Sequence, residues 1–184
     1  MTTPWFNVRK AAQVAAFFAL RSGGEINVLK LTKLIYLADR QFMQAYDTTI
    51  LSDKLVSMPH GPVNSMTLNY MSGLVVNEDW QTYITDRAGH MVALANPDLR
   101  LNDLRELSRA ELQTLENTWK QFGHYDRFQL RDYTHQHCPE WEDPHGSSNP
   151  IPYSRLFKYL GKVDHAEELE DRVMSERQVA AHLC

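Results

Sequence analysis

Cysteine is nearly missing from this 184-residue chain. There are two, Cys138 and the terminal Cys184, and two thiols make no disulfide framework. The expectation is a reduced, cytoplasmic protein. A domain of this length needs no staple, because it buries roughly 70% of the surface its unfolded chain exposes. Glycine and proline are sparse, eight of each, which excludes collagen-like and proline-rich chains. No apolar run reaches the ~20 residues of a membrane span. The longest near the start, Ala11 to Leu20, is broken by Gln13. No small-residue cleavage site bounds it, so it reads as a core helix and not as a signal peptide. A basic surplus is missing too: the formal net charge is −4, which speaks against general affinity for nucleic acid. The glycine fingerprint of dinucleotide sites, the Walker lysine loop and the G-x-S-x-G elbow do not occur.

What is present is mostly helical patterning. Val8, Ala11, Ala12, Ala15, Phe18 and Ala19 place one apolar face on a helix over Val8–Arg21. Asn7 caps it, and Gly23-Gly24 ends it. Leu31, Leu34, Ile35, Ala38, Phe42 and Ala45 predict a second helix over Val28–Tyr46, with Asn27 as cap. On that reading Lys30, Lys33, Arg40 and Gln41 point away from the core, and Asp39-Arg40 is an exposed pair. Leu55–Met58 reads as a strand, broken by Pro59-His60-Gly61-Pro62. A short helix then runs from Val63 to Met71. Trp80–Thr85 and His90–Leu94 read as a β-hairpin across Asp86–Gly89. With Leu55–Met58 they make a three-stranded sheet. Ser108 and Glu111 form a capping box, with Leu107 and Leu112 as hydrophobic staple, so a helix ends at Gly123. Asp126 and Gln129 start another that Cys138-Pro139 closes. Glu140 to Ile151 reads as an irregular surface loop, and Pro152 to Gly161 as a short helix. The last helix, His165–His182, takes Asp164 as cap and has a thin apolar stripe of Leu169, Val173, Ala180 and Leu183. The fold class is α+β: a mainly α-helical single domain with a small three-stranded antiparallel sheet.

Charge is unevenly spread. Arg9, Lys10, Arg21, Lys30, Lys33 and Arg40 outnumber Glu25 and Asp39 in residues 1–40, whereas acids dominate the last twenty. Such polarity suits a protein partner of complementary charge; the alternative is solvated helix faces. Three chemical readings compete with simple binding. His135-x-His137-Cys138, with His124 nearby, offers zinc-ligating atoms, but without the paired spacings of known zinc sites. Cys138 with His60 or His135 has the composition of a thiol hydrolase, against the alternative of a buried structural cysteine. Lys30 and Lys33 on a helical corner suit a nucleic-acid-binding regulator.

Residues 30–50, KLTKLIYLADRQFMQAYDTTI, resemble the signature helix of the Panacea domain, the SocA-like or GepA-like antitoxin family. The resemblance rests on Leu31, Lys33, Leu34, Tyr36, Leu37, Ala38 and Asp39, then Gly61, Pro62 and Val63, then Thr134, His135, Pro139 and Trp141. It covers about residues 6–160. It implies a prokaryotic or phage antitoxin that binds a cognate protein toxin, with no catalysis and no cofactor. Some members act as proteolytic adaptors to a Clp-type protease. The resemblance divides the chain into an antitoxin domain over residues 1–164 and a C-terminal amphipathic helix of the same domain over 165–184. Some members carry a DNA-binding domain, for which this length leaves no room. His60 departs from the aromatic residue often found before the glycine. The expected partner-binding residues are Lys33, Arg40, Pro59, His60, Gly61 and Pro62, with Leu169 and Val173 as a second patch.

Overall fold

The computed structural model describes residues 3–183. Cys184, and the side chain of Leu183 that completes the last apolar stripe, lie outside the described residues.

The first helix, α1 (Val8–Arg21), starts where Asn7 accepts the Lys10 amide and ends in two glycines with positive φ. Its alanines, Ala11, Ala12, Ala15, Ala16 and Ala19, are fully buried. They let neighbouring elements approach the backbone closely. A short strand, β1 (Glu25–Asn27), leads into α2 (Val28–Tyr46). Asn27 caps α2 by accepting the Leu29 and Lys30 amides. Every residue from Leu31 to Asp39 is buried. The expected single stripe is therefore wrong for α2, because α1 and three later elements, β3 (Gly61–Asn64), α5 (Arg109–Phe122) and α6 (Arg127–His137), enclose it. A helix wrapped on all sides buries whatever stands on each face, here including Lys33 and Asp39.

The chain then forms a tight hairpin, β2 (Leu55–Met58) and β3 (Gly61–Asn64), paired from Leu55↔Asn64 to Met58↔Gly61. Pro59 and His60 are the turn. Gly61 follows at φ +100, a conformation that glycine adopts freely. Pro62 ends no strand; it sits in β3, an edge strand, where a missing N–H is tolerated. The helix α3 (Ser65–Met71) accordingly begins two residues later than Val63.

Asn77 caps a single turn, α4 (Glu78–Gln81), by accepting the Asp79 and Trp80 amides. This overturns the expected Trp80–Thr85 strand; only Ile84 bridges across, to Leu94. The strand β4 (Met91–Ala93) pairs instead with β1, Glu25↔Ala93 to Asn27↔Met91. A cap with two acids in the first turn outweighed the alternating apolar pattern there.

The helices α5 (Arg109–Phe122) and α6 (Arg127–His137) carry the expected capping boxes. The third strand of the main sheet is β5 (Asn149–Pro150), which lies on the free side of β2 and gives the order β3-β2-β5. It comes from the stretch expected to be an irregular loop. Then follow α7 (Tyr153–Tyr159) and α8 (Ala166–Leu183). A 3-10 turn over Val163–His165 precedes α8 in place of an Asp164 cap. The fold is α+β, mainly helical, with a three-stranded antiparallel sheet and a separate two-stranded one.

Leu34 is fully buried on α2, so Leu34→Ala removes core contacts on the helix that everything else encloses. The expected cost is about 2–5 kcal/mol, read as a lower denaturation midpoint in urea. An unchanged midpoint would refute the packing described for α2.

Candidate functional site

Lys33, Tyr36 and Arg40 stand at i, i+3 and i+7 and share one face of α2. That face meets α6 and the loop after it. Cys138 and Pro139 end α6, and the chain turns Glu140 back underneath α2. Glu140 is fully buried. It accepts the Tyr36 hydroxyl at 2.7 Å and the Arg40 Nε at 2.8 Å, with Arg40 Nη2 at 3.3 Å on its other oxygen. The next residue ties the loop to the hairpin: Trp141 stacks on His135 with ring centroids 4.1 Å apart and donates its indole N–H to the Met58 carbonyl at 2.9 Å.

Lys33 lies one turn before Tyr36. Its ammonium donates to the Pro62 carbonyl at 2.9 Å and is wholly buried. A β-carbon at Gly61 would stand 2.7 Å from Thr134 Oγ1 and 3.0 Å from Lys33 Nζ. Glycine there is a requirement of space as well as of φ. Asp39 points the other way, accepting the Ile50 amide at 2.7 Å and Asn64 Nδ2 at 3.0 Å. The nearby Asp53 accepts the Met66 and Thr67 amides and the Thr67 hydroxyl, capping α3 from a distance.

Burial shifts these groups. It lowers Lys33 from 10.5 to about 7, with the neighbouring Cys138 opposing it. It raises Asp39 and Asp53 to about 6 against their hydrogen bonds. Burial and the adjacent Glu140 push the Cys138 thiol up to about 12, so Cys138 stays protonated at neutral pH. His135 lies below its usual value through burial and the nearby Lys33.

An open groove of about 470 Å³ runs alongside. Val28, Leu29 and Thr32 of α2 form one wall, Met58, Val63 and Leu68 another, and Phe128 at the start of α6 closes the end. Lys33, although buried, also lines it. Pro59, His60, Arg87, His90 and Arg127 make the rim.

These positions sort the expected partner-binding residues. Pro59 and His60 are exposed on the rim. Lys33, Gly61 and Pro62 are buried, the first held on a carbonyl and the other two in the covered edge strand β3, so none offers a free side chain. Arg40 is spent on Glu140. Leu169 and Val173 are buried where α8 packs on α7. Arg177 locks that helix by donating to the Ser52 and Asp53 carbonyls and lying over the Trp5 ring. The second patch is therefore core.

The residues of the rival readings are placed as follows in the fold. His135 stacks on Trp141, His137 packs on Tyr133 at the surface, and Cys138 faces Glu140. Among the described residues no three His, Cys, Asp or Glu side chains gather as a metal site. Lys30 donates to the Gly123 carbonyl at 2.6 Å and lies over Trp119, and Lys33 is inside. Neither is available to a phosphate backbone.

Glu140 was missed as a core residue, because Pro139 and the acids Glu142 and Asp143 around it read as surface. Two donors one turn apart on α2, Tyr36 and Arg40, are the signal that a buried acceptor faces them. Arg87, His90, Arg127 and Phe128 belong to elements whose meeting no local pattern announces.

A family model spans this interlocked unit. The model described as antitoxin SocA-like, Panacea domain, matches residues 31–142. The chain belongs to that family, and the match runs from the first buried leucine of α2 to the residue after Trp141. No curated protein and no solved structure matches the chain. Among the described residues no helix is long and apolar enough to cross a membrane.

Two predictions follow from the buried charges. The unfolded chain keeps the Lys33 proton up to about pH 10.5, whereas the folded one releases it near pH 7. Between those values the unfolded state binds more protons, so stability rises with pH. Cys138 is raised from 9.0 and acts oppositely above that pH, which leaves pH 7–9 as the clear window. The melting temperature should climb by about 3–5 °C per pH unit there, and Lys33→Met should flatten the profile. An equal slope in both proteins would refute the buried amine. Separately, Glu140→Gln keeps the shape but weakens charge-assisted bonds to Arg40 and Tyr36. It should cost about 1.5–3 kcal/mol in urea denaturation, and no loss would mean the carboxylate is solvated.

Proposed function

We propose that this protein is the antitoxin of a toxin–antitoxin pair, a cytoplasmic binding protein that neutralises a cognate protein toxin by direct contact and performs no catalysis. The observation that carries this reading is the family match over residues 31–142. The geometry supports it in one respect. Three buried titratable groups within the matched span are consumed by the fold: Lys33 on a carbonyl, Asp39 on a backbone amide, Glu140 on Tyr36 and Arg40. A catalytic site needs reactive groups that face a substrate, and these face one another.

Neutralisation by occlusion and delivery of the toxin to a Clp-type protease are two forms of the same reading. They differ in what happens to the toxin after binding. The test is co-expression with the product of the adjacent gene in a growth assay, followed by co-purification of the two proteins. Restored growth with a stable complex is the expected result. Rescue that requires an active Clp protease and removes the toxin selects the delivery form. A neighbour that is harmless, or harmful and not rescued, would overturn the antitoxin reading.

Cys138→Ser gives a narrower prediction. The thiol is buried and protonated, so the folded variant should rescue growth as well as the parent. Complete loss of rescue with an unchanged melting curve would reinstate a thiol mechanism.

A further inference from the structure

The groove beside α2 has a composition that the fold does not explain. Its walls are apolar, formed by Val28, Leu29, Met58, Val63 and Leu68. Two polar atoms beside them are used within the fold. Asn27 Oδ1 caps α2, and the Thr32 hydroxyl donates to the Val28 carbonyl at 2.7 Å. The walls therefore favour an apolar side chain over a ligand dense in hydrogen-bonding groups.

The rim is the opposite in character. Arg87 and Arg127 stand on it with His60 and His90, and no aspartate or glutamate lines the groove. Neither arginine has a carboxylate within ion-pair distance among the described residues, although many other cations of the chain do. Arg87 is braced by the Gly89 carbonyl and its own neighbour His90. Arg127 lies over the ring of Phe128, 4.7 Å from its centroid, and Phe128 is 46% exposed. A chain with net charge −4 thus concentrates positive charge without an acidic partner around this apolar groove. An exposed aromatic between an arginine and an apolar trough is also the composition typical of a binding hot spot.

We infer that this groove is the docking site for an acidic segment of the partner protein, whose aromatic or branched aliphatic side chain enters between α2 and the β2–β3 hairpin while flanking carboxylates pair with Arg87 and Arg127. The inference rests on the antitoxin reading for the partner's identity, and on the groove alone for its chemistry. Pro59 narrows the turn's freedom before binding, which lowers the ordering cost. The rim charges steer the encounter, so the association rate falls as salt rises.

The probe is a phage-displayed library of random twelve-residue peptides, selected on the immobilised full chain and on the double variant Arg87→Glu/Arg127→Glu. Both arginines are exposed, and melting curves establish that the variant is folded. The expected result is enrichment of peptides with an aromatic or branched aliphatic residue flanked by aspartate or glutamate. A synthetic winner should bind the parent in a salt-dependent manner and the double variant roughly tenfold or more weakly. Leu29→Glu, which sets a like charge in the wall, should weaken it as well. Enrichment of neutral or basic peptides, or equal binding to parent and variants, overturns the inference. A parent chain that is dimeric and becomes monomeric in the double variant assigns the groove to a second copy and also overturns it. The two readings fail separately. If the parent rescues growth from the adjacent gene product and the double variant rescues equally, the docking site is wrong and the antitoxin reading stands. If the parent does not rescue, the antitoxin reading falls, and the peptide selection still decides the chemistry of the groove.

Discussion

A carboxylate with no solvent contact governs this structure. Glu140 is turned under α2 and meets a tyrosine hydroxyl and a guanidinium there. A carboxyl group in such a place is tolerable only with its oxygens engaged. The loop after α6 must therefore follow one path, which places Trp141 against His135 and the Met58 carbonyl. That contact in turn fixes the hairpin, and the hairpin supplies the carbonyl on which Lys33 rests. Remote parts of the chain, near residues 36, 60 and 140, are held in register by polar contacts that have few alternative partners.

The cost of this arrangement falls on the charged forms. Lys33, Asp39 and Asp53 are displaced toward neutrality by burial, which means the fold gives up favourable hydration to hold them. Buried polar networks of this kind restrict the packing arrangements open to a core. The alanines of α1 and the leucines of α2 supply apolar area without direction. The polar groups supply the direction.

Local signals carried the helices well. Asparagine caps, capping boxes and terminal glycines placed α1, α2, α5 and α6 with their observed bounds, since each signal acts within a turn of the helix it starts or stops. The strands were read less well, because β1 and β5 are too short to carry an alternation and are paired by distant segments. Trp80 and Ile84 had the alternation, but Asn77 capped a turn that took Trp80 into α4 and left only Ile84 to bridge to Leu94. The site divided along the same line. The residues that matter were visible as a family pattern, whereas their location was not: the apolar stripe on α2 suggested that Lys33 and Asp39 faced water, and only the assembly of α5, α6 and β3 around the helix put them inside. Leu169 and Val173 looked like a patch in want of cover because α7, which covers them, shows no distinctive pattern of its own.

The hairpin's prolines have a consequence for how this surface can be read by another protein. The main sheet has two edge strands, β3 and β5, of four residues or fewer, and each contains a proline, Pro62 and Pro150. An incoming strand would find a gap in the ladder of donors at either side. Association by strand addition, a route by which exposed sheet edges recruit partners and also aggregate, is thereby discouraged at this sheet. At this sheet recognition is left to side chains, and edge-to-edge polymerisation through it is disfavoured.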